Sequence, residues 1–386
     1  MSDRYTFRAA LGCILFFFVA TSLHGQAGTI TVGGLVRNYT LRLPSAYDGI
    51  TPLPLVICMH GGFGSGTQVE NQSQLTAKAE QEGFIMVYPD GTGSIRTWNA
   101  GGCCGYALNN NIDDVGFIDA LLDELIANHA IDTTRIYATG MSNGGFMSYR
   151  LACELSERIA AIAPVSASMT IAACQPTRSV PVISFHSYQD SSVPYLGGVG
   201  DGVSNHYNSP QDSVLTAFAL HADCAVLRDT LQHDATMTVV RWHECDCQQE
   251  MIHYITQDGG HSWHGGTGTG IGDPPSTAVS ANELMWDFFQ MHSLECAITT
   301  STDELHHATD LAVFPNPTAG NITVRVADLE QLAVLDLSGR EVLRMQVAHS
   351  DLVQLDLSAL APGPYVLRAM KLNGVVQVTR VVLSKD

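Results

Sequence analysis

Basic residues are few in this 386-residue chain: 19 Lys and Arg stand against 38 Asp and Glu, a formal net charge of −19. A surface that neutralises nucleic-acid phosphates needs clustered cations. No basic run of five or more occurs and Lys is scarce, so DNA and RNA are not expected as partners. Long apolar runs are missing too: after the first segment none approaches the roughly 20 residues a membrane-spanning helix needs. Wholesale disorder is excluded by what is present, since 45% of the residues are hydrophobic, ample for a sizeable core. At roughly 150 residues per domain, the length predicts two or three domains, or one large domain with an appendage.

The apolar run near the start, Ala9 to Ala20, follows Arg4 and Arg8 and precedes the polar stretch Thr21 to Gln26. This layout predicts a secretory signal peptide over residues 1–25, with cleavage near Gly25 or Gln26. Cys13 lies at the start of the run rather than after it, which argues against a lipoprotein site. Export permits disulfides. Nine cysteines remain beyond Cys13, an odd number, so at least one thiol is expected free or paired outside the chain. Cys224 is expected to pair with Cys245 or Cys247, and Cys153 with Cys174. Cys58, in an apolar run, reads as a buried free thiol. Cys103-Cys104 is either a vicinal bridge or two halves of separate bridges. His243-Glu-Cys-Asp-Cys247 has zinc-ligand residue types, but export favours disulfides there, and no metal or organic cofactor is expected.

Two regions differ in pattern. Over residues 27–296 short apolar strands alternate with helical spacing, which predicts an α/β fold with a mostly parallel sheet. Leu55–Met59, Phe84–Tyr88, Arg135–Thr139 and Val180–Phe185 read as buried strands. Residues 68–81, 112–129 and 143–155 have helical spacing, with Ile118, Leu121, Leu122, Leu125 and Ile126 on one face. Residues 297–310 are polar and threonine-rich, a predicted linker. Residues 311–386 carry short alternating strands between turn residues, which predicts a small all-β sandwich.

Gly140-Met-Ser-Asn-Gly144 is the only G-x-S-x-G in the chain. It follows a predicted strand and opens a predicted helix, the context a nucleophile elbow requires. Ser142 is therefore the candidate nucleophile, and its hydroxyl needs a base to take its proton. Asp190 lies past the strand ending at Phe185-His186, and His261 lies in Gly259-Gly-His-Ser-Trp263. The order serine, acid, histidine makes Asp190 the orienting acid and His261 the general base. His186 and His264 lie near the same loops and are rival bases, His264 the stronger. Asp201 and Asp113 are rival acids. His60-Gly-Gly62 follows a strand at the place where such enzymes set a backbone donor. The N–H of Gly62 and that of Asn143 are the expected oxyanion hole, with His60 buttressing the loop. Trp98, Trp263, Tyr195 and Phe63 flank these loops and are candidate substrate-binding walls.

Several linked stretches resemble the polyhydroxybutyrate depolymerase and feruloyl esterase family. They are Trp98-Asn-Ala-Gly-Gly-Cys-Cys-Gly105, Asp113-Asp-Val-Gly-Phe117, Arg135 to Gly145, Ala161-Ile-Ala-Pro164, Val193-Pro-Tyr195 and Gly260-His-Ser-Trp263. The resemblance implies an α/β-hydrolase fold and hydrolysis of a carboxylic ester (feruloyl, acetyl or polyester) through an acyl-enzyme, with Ser142, Asp190 and His261 at the triad positions. His264 stands where the family often has proline. The tail, through Phe314-Pro-Asn-Pro-Thr-Ala-Gly320, Leu335 to Arg340 and Leu357 to Tyr365, resembles a C-terminal type IX secretion sorting domain. That implies the type IX machinery as partner and a secreted or cell-surface enzyme. The competing readings are a serine peptidase on the same fold and a non-catalytic surface protein. An ordered triad argues against the second. The absence of a large accessory domain before the catalytic region argues against the first.

Overall fold

The computed structural model describes residues 24–171, 174–202, 205–268, 273–295, 311–336, 339–347, 350, 352–372 and 376–384. The predicted leader up to Leu23 and the predicted linker over 297–310 lie outside the described residues.

The first sheet has ten strands. In chain order they begin with β1 (His24–Val32), β2 (Leu35–Leu43), β3 (Leu53–Met59), β4 (Ile85–Pro89), β5 (Ile131–Met141) and β6 (Ala161–Val165). Next comes β7 (Val182–Ser187), then a two-residue pair outside the sheet, β8 (Gly198–Val199) with β9 (Tyr207–Asn208). The sheet ends with β10 (Val226–His233), β11 (Met237–His243) and β12 (Met251–Thr256). Its order is β1-β2-β4-β3-β5-β6-β7-β12-β11-β10. The six strands from β4 to β12 pair in parallel. Antiparallel pairs close both edges.

The central strands are continuous apolar runs because both faces are covered. Leu55, Ile57 and Met59 of β3 point into one hydrophobic cluster, while Val56 and Cys58 point into another on the opposite face. Helix α4 (Asp114–Asn128) packs Phe117, Ile118, Leu121, Leu122 and Leu125 on the first face. Helix α7 (Ala281–Gln290) packs Met285, Trp286, Phe288 and Phe289 on the second. The other helices are α1 (Gly66–Ser73), α2 (Leu75–Glu82), α3 (Gly105–Asn109), α5 (Asn143–Glu154) and α6 (Gln211–His221). Among the described residues no helix is long and apolar enough to cross a membrane.

The single helix expected over residues 68–81 is two. Gln74 caps α1 in the left-handed conformation, φ 61°, and α2 starts at the next residue. The Asn282 side-chain amide donates to the Ser73 carbonyl at 2.7 Å. A distant contact thus satisfies a carbonyl that the break leaves over.

Residues 311–384 build antiparallel sheets of their own: β13 (Ala312–Phe314), β14 (Asn321–Arg325) and β17 (Leu352–Asp356) in one. The other holds β15 (Leu329–Leu335), β16 (Glu341–Gln346), β18 (Gly363–Lys371) and β19 (Val376–Leu383). Ile322, Val324, Leu332, Val334, Leu355 and Leu367 form part of one buried cluster drawn from both sheets.

Cys153 is bonded to Cys174, Cys224 to Cys245, and Cys103 to Cys104. Cys247 is disulfide-bonded as well, so the cysteines of the 243–247 run are held in bridges. Cys58 is free and buried, and burial pushes its thiol well above the usual range.

Candidate active site

Strand β5 runs straight into Ser142, which takes φ 54° and ψ −122° before α5 begins. That conformation is costly for a residue with a side chain and persists only where its surroundings hold it. Here the Ser142 N–H donates to the Val165 carbonyl at 3.0 Å. A Cβ on Gly144 would overlap the Met59 carbonyl, and one on Gly140 would lie 2.6 Å from it. Both glycines are therefore dictated by the closeness of β3 and the turn.

Asp190 sits in the turn after β7 and is buried. One oxygen, Oδ1, accepts the Val193 N–H at 2.8 Å, and Oδ2 accepts from His261 Nδ1 at 2.9 Å. Burial alone would raise this carboxyl. The hydrogen bond and charge of His261, with smaller contributions from His186 and the Val193 N–H, hold it below its ordinary value. His261 follows Gly259 and Gly260, at φ 87° and 130°. Its own N–H donates to Asp273 Oδ2 at 2.7 Å. With Nδ1 engaged by Asp190, Nε2 is the ring nitrogen left for the cleft that His261 lines.

Ser142 and His261 line one cleft of about 370 Å³, with Gly62, Phe63, Gln72 and Asp273 among its other walls. Gly62 lies in the turn after β3. The next two N–H groups along the chain are engaged, Phe63 N–H with the Arg96 carbonyl at 2.9 Å and Gly64 N–H with the Gly61 carbonyl at 3.1 Å. Asn143 is the first residue of α5, where backbone N–H groups lack an intrahelical acceptor. Its side chain was not anticipated from sequence: Oδ1 accepts the Trp98 N–H at 2.7 Å and Nδ2 donates to the Trp98 carbonyl at 3.0 Å. His60 is buried, accepts the Gly91 N–H at Nε2 (2.9 Å) and donates from Nδ1 to the Gly61 carbonyl (2.7 Å). Desolvation pushes it down to about 4, so it stands neutral as a brace for the loop.

The rivals fall elsewhere. His264 is fully buried, 3.3 Å from Thr256 Oγ1, and lines no part of the cleft. Asp113 caps α4 by accepting the Gly116 N–H. Asp201 accepts from the hydroxyls of Ser191 and Ser192. Of the four expected aromatic walls only Phe63 lines the cleft, and it is exposed. Trp98 is buried and donates Nε1–H to the His60 carbonyl, and Trp263 is buried and donates to Asn282 Oδ1. Tyr195 gives its hydroxyl to Asp212. These three are framework rather than cleft wall, because indole and phenol donors that leave water need a partner, and theirs lie inside the fold.

The family model for esterase PHB depolymerase matches residues 37–192, the stretch that holds Gly62, Ser142 and Asp190. That match covers less than half of the chain. The secretion system C-terminal sorting domain matches residues 312–384. Feruloyl esterase B of Piromyces equi is 34% identical over 174 residues, 43% of this chain and 32% of that protein. Probable feruloyl esterase C of Aspergillus terreus is 27% identical over 289 residues, 72% of this chain and 94% of that protein. This chain spans about a third of the length of the first two curated relatives it matches. An acetyl xylan esterase from Aspergillus awamori superposes with a TM-score of 0.46 at 14% identity, covering 69% of this chain and 99% of that one. Residues 37–192 run from β2 to just past β7 in the mostly parallel sheet, and residues 312–384 build the antiparallel sheets.

Proposed function

We propose that the chain is an exported serine esterase that hydrolyses carboxylic esters, feruloyl or acetyl esters of hydroxyl-rich alcohols, through an acyl-enzyme. The observation that carries this is the buried Asp190 bonded at 2.9 Å to His261, whose imidazole lies on the same cleft as Ser142. Ser142 Oγ attacks the ester carbonyl while His261 Nε2 takes its proton. Gly62 and Asn143 N–H groups receive the oxyanion, each donor worth about 10²–10³ in turnover. The intermediate collapses, the C–O bond to the alcohol breaks, and His261 returns the proton to the leaving alkoxide. Water then attacks the acyl-serine, losing its proton to the same nitrogen; as the bond from the acyl carbon to Ser142 Oγ breaks, His261 gives that proton to Oγ, releasing the acid and restoring the free serine. Asp190 keeps Nδ1–H as donor throughout and stabilises the transient imidazolium.

Gln68, Gln72, Thr267 and Asp273 give the cleft polar walls, against Phe63, Met141 and Pro275. Side chains of that kind complement a hydroxylated alcohol better than a plain polyester chain. Feruloyl esterases among the relatives point the same way. For export, the reading rests on the sorting-domain match over residues 312–384 and the leader expected from sequence, with the type IX machinery as partner. Purified wild type and Ser142→Ala, assayed on p-nitrophenyl acetate and methyl ferulate, test the chemistry. Turnover is expected to vanish in the variant, and unchanged turnover overturns the assignment of the nucleophile. Mass spectrometry of culture supernatant tests export: a chain shortened at both ends is expected, and a released form still ending at Asp386 counts against tail cleavage.

A further inference from the structure

We propose that a groove beside the catalytic cleft, floored by Arg37 and walled by Tyr106, Asn38 and Arg96, is a subsite for a pyranose unit of a polysaccharide whose ester the enzyme cleaves. This deepens the reading above and rests on it. The groove has a volume of about 300 Å³, at the small end of ligand sites.

Three observations place a ligand there. The first is position. Strand β2 pairs with β4 so that Tyr39 faces Pro89, which puts the start of β2, Leu35 to Asn38, beyond the carboxyl end of β4. Ser142, Gly62 and Asp190 also stand past the carboxyl ends of their strands, and ligands in α/β sheets sit at that edge. The second is continuity. A tight turn closed by hydrogen bonds between Thr92 and Thr97, 3.1 and 3.0 Å, lines the groove through Thr92, Gly93 and Arg96. Arg96 lines the groove, and its carbonyl accepts the N–H of Phe63, which lines the cleft. Groove and cleft are therefore neighbours, joined through the Phe63–Arg96 contact. The third is surface chemistry. Leu35, Val36 and Tyr106, all exposed, line the groove, and the exposed Phe63 lines the cleft; exposed apolar side chains gathered in this way mark a binding site more often than chance.

The occupant follows from what surrounds those side chains. Tyr106 is about half exposed, 49%, and its ring lies so close over Gly93 that a Cβ there would approach it at 2.8 Å. A phenol ring fixed on one side and open on the other is a platform for the C–H face of a sugar, with an apolar body and a polar tip. The exposed Asn38, and Arg96, whose guanidinium is 3.7 Å from Asp90 Oδ2, line the same groove. Those donors match ring hydroxyls. An aliphatic polyester chain would desolvate them without returning hydrogen bonds.

The test uses full-length protein. Against feruloylated arabinoxylan oligosaccharide, Tyr106→Ala is expected to raise KM about tenfold with kcat little changed, while kcat/KM on p-nitrophenyl acetate stays within twofold. Asn38→Ala should raise the same KM by a smaller factor, and Tyr106→Phe should keep the wild-type value. In a Ser142→Ala background, isothermal titration with unesterified xylohexaose should give binding that Tyr106→Ala abolishes. Equal KM for wild type and Tyr106→Ala on the oligosaccharide overturns the subsite, as does a parallel loss on p-nitrophenyl acetate, which would mark a structural effect. Turnover of a polyester in place of every carbohydrate ester overturns it too. Retained ester turnover in Ser142→Ala overturns the catalytic reading alone, because the titration still reads the groove.

Discussion

His186 lies 3.7 Å from the inner oxygen of Asp190 but gives its Nε2–H to the carbonyl of Val193, 2.7 Å away. Val193 in turn donates its N–H to the other Asp190 oxygen. The turn that presents the acid is thus held from both sides by one buried imidazole. Burial pushes His186 below its ordinary value, which keeps it neutral. His186→Phe leaves the Val193 carbonyl buried without a donor, a cost of about 1–3 kcal/mol, and lets the acid shift. Its kcat should fall roughly 10²-fold, as small misplacements of a catalytic group do, with the acid limb of the pH–rate profile displaced. His186→Gln, which can still donate to that carbonyl, should recover most of both. A lowered melting temperature with an unmoved acid limb would reduce His186 to a packing role.

The elbow makes a sharper demand. Because the position of a Gly144 Cβ is already occupied by the Met59 carbonyl, Gly144→Ala cannot be absorbed by a side-chain rotation. We expect a loss of about 3 kcal/mol or more, read as a drop in the midpoint of chemical denaturation. A midpoint equal to wild type would mean that β3 and the turn separate more easily than their packing implies.

Acid should destabilise the fold through buried histidines. His60, His264 and His292 are each pushed down to about 4 by desolvation. Their unfolded forms titrate near 6.5, so between those values the unfolded chain binds more protons. Stability is complete above about pH 6.5 and falls as pH drops toward 4, by up to about 3 kcal/mol per histidine. The depressed Asp190 carboxyl adds a further loss at still lower pH, as it becomes protonated in the native state. Melting temperatures from pH 7.5 to 4.5 should decline, and the slope should flatten in His292→Leu. A flat wild-type profile would contradict the argument.

Cys58 offers a chemical check on the core. It lies on β3 with no exposed surface. The native protein should leave this thiol unreacted with a disulfide-exchange dye, and denaturant without reductant should release it. Dye reaction at Cys58 in native buffer would mean that β3 opens under native conditions.

Much of this was legible locally. The runs Leu55–Met59 and Val180–Phe185 are too apolar to sit anywhere except inside a sheet covered on both faces, and the observed strands Leu53–Met59 and Val182–Ser187 overlap them. Ser142 between strand and helix, with acid and histidine later in the chain, is likewise a local pattern. The edge hairpins β1–β2 and β10–β11 were not anticipated, since partly exposed strands carry weaker apolar patterning.

What composition, order and spacing determined was which residue types stand at the ends of which strands. The tertiary structure alone decided their surroundings. Trp98, Trp263 and Phe63 are all aromatic neighbours of catalytic loops in sequence, yet two are buried framework and one is open to the cleft. His261 and His264 are three residues apart, but one meets Asp190 and the other is enclosed beside Thr256. The reason is physical: burial and hydrogen-bond partnership arise from chain segments remote in sequence, and no local pattern encodes which side of a loop those segments will cover.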